Sequence, residues 1–289
     1  MILLILIISV KAAKGKNVVI IGASFIGMEV AAHLSDKAAT VTVVGNSEIP
    51  FQNSLGPEIG SYIKQLHLDK GVKFVMETSP SEFLTNEDGE LEKVVLENGD
   101  HINSDLVVLG IGVNPTTSYI QNEEIETDSR GFIVVNECMK TNVDNIYAAG
   151  DITKFPLHLS SFGGPRMVSV GHWQIAKAHG RCVALNISAL EQKPLQTVPF
   201  FWTVQYGKSI RYAGIATDGY DDIVYDGDVV SGKFVAFYIK NDNVVAVATL
   251  GRDPIAADFA NFLLEGNSLK REELADEAWR NKYSLSAKL

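Results

Sequence analysis

Cysteine is scarce in this sequence, because only Cys138 and Cys182 occur among its 289 residues and no C-x-x-C pair is formed. That spacing excludes a dithiol redox motif and a cysteine-rich zinc site within the sequence, so no metal ligands are assigned. Two separated cysteines are typical of a reducing environment, and we expect an intracellular protein, cytoplasmic or mitochondrial.

Basic residues are also few, with 25 Lys and Arg against 35 Asp and Glu, which gives a formal net charge of −10. No cluster of Lys or Arg with interleaved aromatic residues interrupts this balance. These features exclude nucleic acid as an expected partner.

Nine of the first ten residues are apolar, but this run is shorter than the roughly 20 residues that a membrane-spanning helix needs. It also lacks the basic residues and the small-residue cleavage site of a signal peptide. We expect a buried strand here, with a hydrophobic anchor as the alternative, and we treat residues 1–13 as an apolar segment of unclear role. Membrane association is not expected for the rest of the chain.

The most informative stretch is Val18–Glu29, in which four β-branched residues lead directly into Gly22. Apolar residues then recur with helical spacing, so the pattern predicts a buried strand that turns into a helix. Such a turn directs backbone N–H groups and the positive end of the helix dipole at one point, which suits a pyrophosphate. Gly22, Ser24 and Gly27 occupy the positions of G-x-G-x-x-G, with serine replacing the second glycine.

The rest of the first half continues the strand–helix alternation. A second strand is predicted at 40–44, a helix from Pro57 to before Gly71, and a third strand at 72–76. Asp88-Gly89 and Asn98-Gly99 are hairpin turns that predict a small antiparallel meander, followed by an apolar strand at 106–109.

In the second half, the polar region between Ile120 and Lys140 predicts a crossing between domains. Beyond it the pattern predicts a short strand at 145–149, a helix at 171–187 and two C-terminal helices at about 254–264 and 270–279. Five further segments are strand-like, namely 200–205, 210–213, 223–225, 234–239 and 244–250. The expected fold class is α/β, with a Rossmann-like domain carrying the meander, a partial second α/β segment and a C-terminal α+β domain.

Glycines at the ends of three predicted strands form a constellation, since Gly22, Gly110 with Gly112, and Gly150 all follow apolar runs. Ligands of open α/β sheets bind at such strand ends. The stretch Thr141–Asp151, which ends in Ala-Ala-Gly-Asp, resembles the flavin-side signature of the pyridine-nucleotide-dependent flavoprotein reductases. With His172-Trp173 and Phe201-Trp202 it is similar to the branch of ferredoxin reductases and apoptosis-inducing factor, and within that branch to the Rieske-linked third group of apoptosis-inducing-factor-like proteins.

This resemblance implies two cofactors, FAD and NAD(P)H. The turn from Gly22 to Gly27 would hold the NAD(P)H pyrophosphate, Glu29 would face the nicotinamide, and Gly110 and Gly112 would pass beneath it. Asp151 would hold a ribityl hydroxyl of FAD, and the helix beginning near His172 would direct its N-terminus at the flavin. The full set of expected cofactor-binding residues is Gly22, Ala23, Ser24, Phe25, Ile26, Gly27, Glu29, Glu48, Gly110, Ile111, Gly112, Asp151, His172, Trp173 and Trp202.

Structural roles are the alternatives for these residues. The glycine turn could serve only as a tight connection, and Asp151 could be a turn or capping residue. His172 has no orienting partner in the sequence and is expected at the surface or at a helix cap rather than as an acid or base, and no catalytic side chain is assigned. Trp173 and Trp202 could be core aromatics.

Three features depart from the family pattern. Ser24 adds a side chain where the backbone approaches a pyrophosphate, so NAD(P)H affinity is expected to be reduced. Gly45 ends the second strand where an acidic residue would bind the adenosine ribose, and Glu48 comes three residues later. No Arg or Lys between Gly45 and Leu55 could bind a 2′-phosphate, so NADH is expected over NADPH.

The third departure is a missing first dinucleotide fold, with the Rieske segment absent as well. We therefore expect a NAD(P)H-binding domain at 14–130, the remaining part of a FAD domain at 131–195 and a C-terminal, dimerisation-like domain at 196–289. The expected function is FAD-dependent NAD(P)H oxidoreduction, with electrons passed to a one-electron acceptor such as an iron–sulfur centre. The alternative is a non-catalytic NAD(H)-binding or interaction fragment linked to apoptosis signalling.

Overall fold

The computed structural model describes residues 12–120, 124–188, 192–216, 219–275 and Trp279. The strand predicted at residues 1–10 lies outside this range. The chain forms two compact units. Of the described residues, the first unit contains those up to Gly112 together with Thr203–Ile210 and Gly227–Lys233, and the second unit contains the others.

The first unit is built on a four-stranded sheet in the order β3-β2-β1-β7, whose three strand pairs are all parallel. Two helices connect its strands in the Rossmann-like manner that the sequence predicts. The central strands are apolar and buried at four of five positions each, as expected for a sheet covered on both faces. The elements are β1 (Asn17–Ile21), α1 (Phe25–Leu34), β2 (Thr40–Val44), α2 (Pro57–Leu68), β3 (Lys73–Val75) and β7 (Leu106–Leu109).

The predicted meander is present as a three-stranded sheet of β4 (Pro80–Thr85), β5 (Leu91–Leu96) and β6 (His101–Asn103). Its two turns contain Gly89 and Gly99, both with positive φ. Inside the first unit the meander packs on the parallel sheet through a shared apolar cluster, Val19, Ile21, Val44, Val94 and Leu96.

The second unit contains a three-stranded sheet in the order β10-β9-β8 and a long helix, α3. Its core is rich in aromatic side chains, with Phe155, Phe237 and Phe259 almost fully buried. The elements are β8 (Ile133–Val134), β9 (Thr153–Leu157), a 3₁₀ turn (Ser160–Phe162), β10 (Arg166–Val168) and α3 (Trp173–Ser188).

The C-terminal part forms a five-stranded sheet in the order β11-β12-β15-β14-β13, followed by helix α4 (Ile255–Leu264). All five strand-like segments of the sequence are strands, and Asn241 and Asp242 join β14 to β15, which pair in antiparallel register. The strands are β11 (Phe200–Gln205), β12 (Lys208–Gly214), β13 (Asp222–Asp228), β14 (Lys233–Lys240) and β15 (Asn243–Leu250). A mixed α/β fold, with a Rossmann-like parallel region and an antiparallel C-terminal region, is confirmed.

Two predicted elements are wrong. The segment 145–149 is no strand, because Asn145 has a φ of 62° and the segment forms only one isolated bridge, between Lys140 and Tyr147. The hydroxyl of Thr141 accepts a hydrogen bond from the N–H of Val143, a local bond that favours a turn. The helix predicted at 270–279 is a 3₁₀ turn at Arg271–Leu274 in the part of it that the structure describes, with Trp279 also helical.

Among the described residues no helix is both long and apolar enough to cross a membrane.

Candidate functional site

Three glycines bring the backbones of β1, α1 and β7 into direct contact. A Cβ on Gly27 would overlap the carbonyl oxygen of Gly22, and a Cβ on Gly22 would overlap the carbonyl oxygen of Gly110. A Cβ on Gly110 would in turn lie 3.0 Å from the backbone nitrogen of Gly27. Gly22 also has a φ of 109°, which side chains rarely allow. The turn therefore needs glycine at these three positions. Gly110 contributes by packing its backbone directly against Gly22 and Gly27.

The N-terminus of α1 lies at this turn and is not compensated by its own side chains. Ser24 is the N-cap residue, but its side chain makes no capping hydrogen bond. The first turn of the helix contains no acidic residue. Since the positive end of a helix dipole favours an anion, this end of α1 suits a phosphate group.

Exposed apolar side chains flank the same glycines in sequence. Ile26 is 56% exposed, Leu109 58% and Ile111 69%. Gly112, with a φ of 89°, has no atom within 4 Å of the position that a Cβ would take. The surface beside the glycine contact is therefore apolar and open, which suits a flat ring.

Phe51 supports the turn and was not predicted from the sequence. Its backbone N–H donates to the carbonyl oxygen of Ala23 at 3.1 Å, and its ring packs against Phe25 at a centroid distance of 4.9 Å. Phe51 follows Pro50 in an irregular loop, where no periodicity marks a residue as important.

Gly45 ends β2 in a space too small for a side chain. A Cβ there would lie 2.9 Å from the Cβ of Ala23 and 2.9 Å from the Cε of Met76. A side chain at position 45 would therefore require Ala23 or Met76 to shift. Glu48 is exposed, three residues further along the loop.

Glu29, in the second turn of α1, has a partner that sequence reasoning missed. The hydroxyl of Thr203 donates to Glu29 Oε1 at 2.6 Å, and both residues belong to the first unit. They are 174 positions apart, so no local pattern could have identified the pair.

In the second unit, Asp151 is exposed at the turn that precedes β9. A Cβ on Gly171 would lie 3.9 Å from Asp151 Oδ2, so the approach to α3 passes beside this carboxylate. His172 follows, and its carbonyl oxygen accepts the first hydrogen bond of α3, from the N–H of Ala176. Burial lowers the pKa of His172, and Asp151 acts in the opposite direction. Nδ1 of His172 is buried and has no hydrogen-bond partner among the described residues.

Two tryptophans lie beside His172. Trp173 is 52% exposed and Trp202 is 46% exposed, and their rings meet edge to face at a centroid distance of 6.4 Å. His172 also contacts the ring of Trp173 at 5.9 Å, and Lys177 Nζ lies 5.3 Å from the centre of that ring. The alternative in which both tryptophans are core residues does not agree with their exposure.

The predicted residues thus form two groups. The glycine turn, Glu29, Glu48, Gly110, Ile111 and Gly112 belong to the first unit, and Asp151, His172, Trp173 and Trp202 belong to the second.

Residues 7–180, more than half of the chain, match the family described as pyridine nucleotide-disulphide oxidoreductase, and the chain therefore belongs to that family. Residues 200–283 match a second family description, reductase C-terminal. Together the two matches extend from residue 7 to residue 283, with residues 181–199 between them.

Among curated proteins, the chain is 44% identical over 265 residues to apoptosis-inducing factor 3 of Homo sapiens, a match that covers 92% of this chain and 43% of that protein. It is 31% identical to rhodocoxin reductase of Rhodococcus erythropolis, over 95% of this chain and 62% of that protein. Among solved structures, the putidaredoxin reductase–putidaredoxin complex matches with a TM-score of 0.84 and 26% identity, over 97% of this chain and 66% of that one. The chain spans less than half the length of the first of these relatives.

Proposed function

We propose that this chain binds NAD(P)H and the flavin half of FAD and acts in hydride transfer from NAD(P)H to FAD, with electrons then passed to a one-electron carrier. The observation that supports this proposal most directly is the mutual contact of Gly22, Gly27 and Gly110. It lies beneath a helix N-terminus that no side chain of its first turn neutralises. Family membership and the names of the relatives support the same reaction. An iron–sulfur protein is the proposed acceptor, because one matched structure contains putidaredoxin reductase together with putidaredoxin.

The first group of residues fits a dinucleotide. The N-terminus of α1 would hold the pyrophosphate, and the open apolar surface at Ile26 and Ile111 would exclude water from the nicotinamide. Glu29 would accept hydrogen bonds at that end. We expect NADH to bind more tightly than NADPH, because no Arg or Lys lies between Gly45 and Leu55 to pair with a 2′-phosphate.

The second group fits the flavin end of FAD. The half-exposed rings of Trp173 and Trp202 would pack on its ring system, and Asp151 would accept hydrogen bonds from ribityl hydroxyls. Nδ1 of His172 is a buried polar atom without a hydrogen-bond partner in the described part of the chain, and a ligand could satisfy it. When bound, FAD supplies the hydride acceptor and the one-electron chemistry, while these residues orient it.

The experiment is to purify the chain, add FAD, and record flavin absorbance before and after anaerobic addition of NADH. Retained flavin that is bleached by NADH supports the proposal. Absence of bound flavin even with excess FAD would refute catalysis by this chain. NADH binding without flavin would then favour the alternative of a non-catalytic NAD(H)-binding protein.

A variant pair identifies the flavin site. Replacing Asp151 by Asn should weaken FAD binding about 10-fold, because hydrogen bonds to a charged acceptor are lost. Replacing Asp144 by Asn is the matched control, since Asp144 is an exposed carboxylate of the same region that pairs with Lys140 at the surface. Equal loss of FAD affinity in both variants would contradict the assignment of Asp151.

A further inference from the structure

Thr203 and Gln205 make a short hydrogen-bond chain that ends on Glu29. Gln205 Nε2 donates to Thr203 Oγ1 at 3.1 Å, and Thr203 Oγ1 donates to Glu29 Oε1 at 2.6 Å. Thr203 is 2% exposed and Gln205 4% exposed, whereas Trp202 and Val204 between and beside them are half exposed. Because side chains alternate along a strand, β11 directs Thr203 and Gln205 to one buried face.

The donor-to-acceptor direction of these two hydrogen bonds follows from the number of hydrogens that each side chain can donate. A threonine hydroxyl has one hydrogen, and the amide of Gln205 donates into its oxygen, so the hydroxyl hydrogen is available for Glu29. Gln205 Oε1 is buried and has no hydrogen-bond partner among the described residues. With the amide reversed, its oxygen would compete with Glu29 for the single hydrogen of Thr203. The arrangement seen here is therefore the one that supplies a donor to the carboxylate of Glu29.

The consequence for Glu29 is that one oxygen is engaged and the other is available. Oε1 accepts from Thr203, and Oε2 makes no hydrogen bond with the described residues. A carboxylate held at one oxygen loses rotational freedom, so its second oxygen points in a defined direction. An ionised carboxylate only accepts hydrogen bonds, so Oε2 selects a ligand N–H or O–H group.

We propose that Thr203, oriented by Gln205, is a positioning residue that fixes Glu29 to accept a hydrogen bond from the carboxamide N–H of the nicotinamide. This inference rests on the proposed function, in which Glu29 faces the nicotinamide. Thr203 acts through Glu29, and among the described residues its hydroxyl bonds Glu29 and Gln205 and not the glycine turn. Its contribution is therefore confined to the nicotinamide end of the dinucleotide.

A comparison of NAD⁺ with ADP-ribose distinguishes binding of the nicotinamide end from binding of the rest of the dinucleotide. NAD⁺ carries the carboxamide and does not reduce flavin, and ADP-ribose retains the pyrophosphate and both riboses but lacks the nicotinamide. Calorimetry on the full chain gives the affinity for each. Thr203→Val keeps the shape of the side chain and removes the hydroxyl, so it should weaken NAD⁺ binding about 10-fold and change ADP-ribose binding less than about 2-fold. Thr203→Ser, which keeps the hydroxyl, should restore NAD⁺ affinity.

A double-variant comparison tests the route through Glu29. In a Glu29→Ala background, Thr203→Val should cause no further loss of NAD⁺ affinity, because the group that it positions is gone. Gln205→Met provides a second perturbation of the same chain should Thr203→Val not fold, and it should also weaken NAD⁺ selectively. Equal weakening of both ligands, or additive losses in the double variant, would overturn the positioning role. Failure of the unmodified chain to bind either ligand would instead refute the proposed function, and this inference with it.

Discussion

The ring nitrogen Nδ1 of His179 accepts a hydrogen bond from the backbone N–H of Gly150 at 3.2 Å. His179, on α3, is completely buried, and its ring packs edge to face against Phe155 at a centroid distance of 4.4 Å. The turn before Asp151 is thereby attached to the core of the second unit through a histidine that must stay neutral. Protonation would place a hydrogen on Nδ1, directly against the N–H of Gly150.

This contact predicts an acid-sensitive stability. Burial lowers the pKa of His179 from 6.5 to about 4, so between these values the unfolded chain binds more protons than the folded chain. The free energy of unfolding should therefore rise with pH across this window. The contribution of neutral His179 should be fully present above the window, and about 3 kcal/mol of it should be lost as the pH falls to about 4.

The variant His179→Gln should flatten this dependence, since a glutamine oxygen can accept from Gly150 and does not titrate. Urea denaturation at several pH values provides the measurement. Parallel pH profiles for the variant and the original chain would show that His179 is not the group responsible.

Gly27→Ala should be strongly destabilising, by several kcal/mol, because its Cβ would overlap the carbonyl oxygen of Gly22. Gly180→Ala is the matched control within α3. A Cβ at Gly180 meets nothing within 4 Å, so alanine there should stabilise the chain by about 0.5–1 kcal/mol through helix propensity. Thermal melts of both variants test this contrast, and a tolerated Gly27→Ala would disprove the tight backbone contact.

Ser24→Gly should tighten binding of both NAD⁺ and ADP-ribose by about 1 kcal/mol, because it removes a side chain beside the proposed pyrophosphate position. Ser24 has extended backbone dihedrals of φ −116° and ψ −165°, so glycine relieves no strain there. Loss of the N-cap serine should cost only a few tenths of a kcal/mol in stability. Calorimetric titrations that show unchanged affinity for both ligands would mean that the turn does not contact a pyrophosphate.

His67 links the two helices of the first unit. Its Nδ1 lies 2.9 Å from the carbonyl oxygen of Ile63 on α2, and its Nε2 lies 3.1 Å from that of Met28 on α1. Burial lowers the pKa of His67. Since the folded-state pKa is lowered, the stability that depends on neutral His67 should be present above the ordinary histidine range and decrease as the pH falls through it.

His67→Leu should reduce the free energy of unfolding by about 1–2 kcal/mol at neutral pH, because neutral His67 carries one ring N–H and the hydrogen bond that it donates to one of these two carbonyls is lost. His101→Leu, at an exposed position of the meander, should have little effect. Chemical denaturation of the two variants gives the comparison, and equal stabilities would argue against a linking role for His67.

Local sequence was sufficient for the parallel sheet and the glycine turn. A run of apolar β-branched residues followed directly by glycine and a helical repeat leaves few alternatives, and β1 and α1 lie where that pattern puts them. The same applies to the hairpin turns at Gly89 and Gly99, whose positive φ values match their residue types.

Strand β9 was missed because it contains Pro156, which weakens any sequence-based strand assignment. The proline is tolerated in the antiparallel pairing with Met167 of β10. The packing function of Gly110 and the support from Phe51 depend on contacts between separate segments. No periodicity within either segment carries that information.

Residues 203–210 belong to the first unit, although along the chain they follow Val113–Trp202, which belongs to the second unit. Recombination between related reductases at a single point shortly after Gly112 would thus separate Glu29 from Thr203, the residue with which it is paired here. A functional exchange would have to transfer both segments together. In a comparison of related sequences, positions 29, 203 and 205 should accordingly vary as one inherited set.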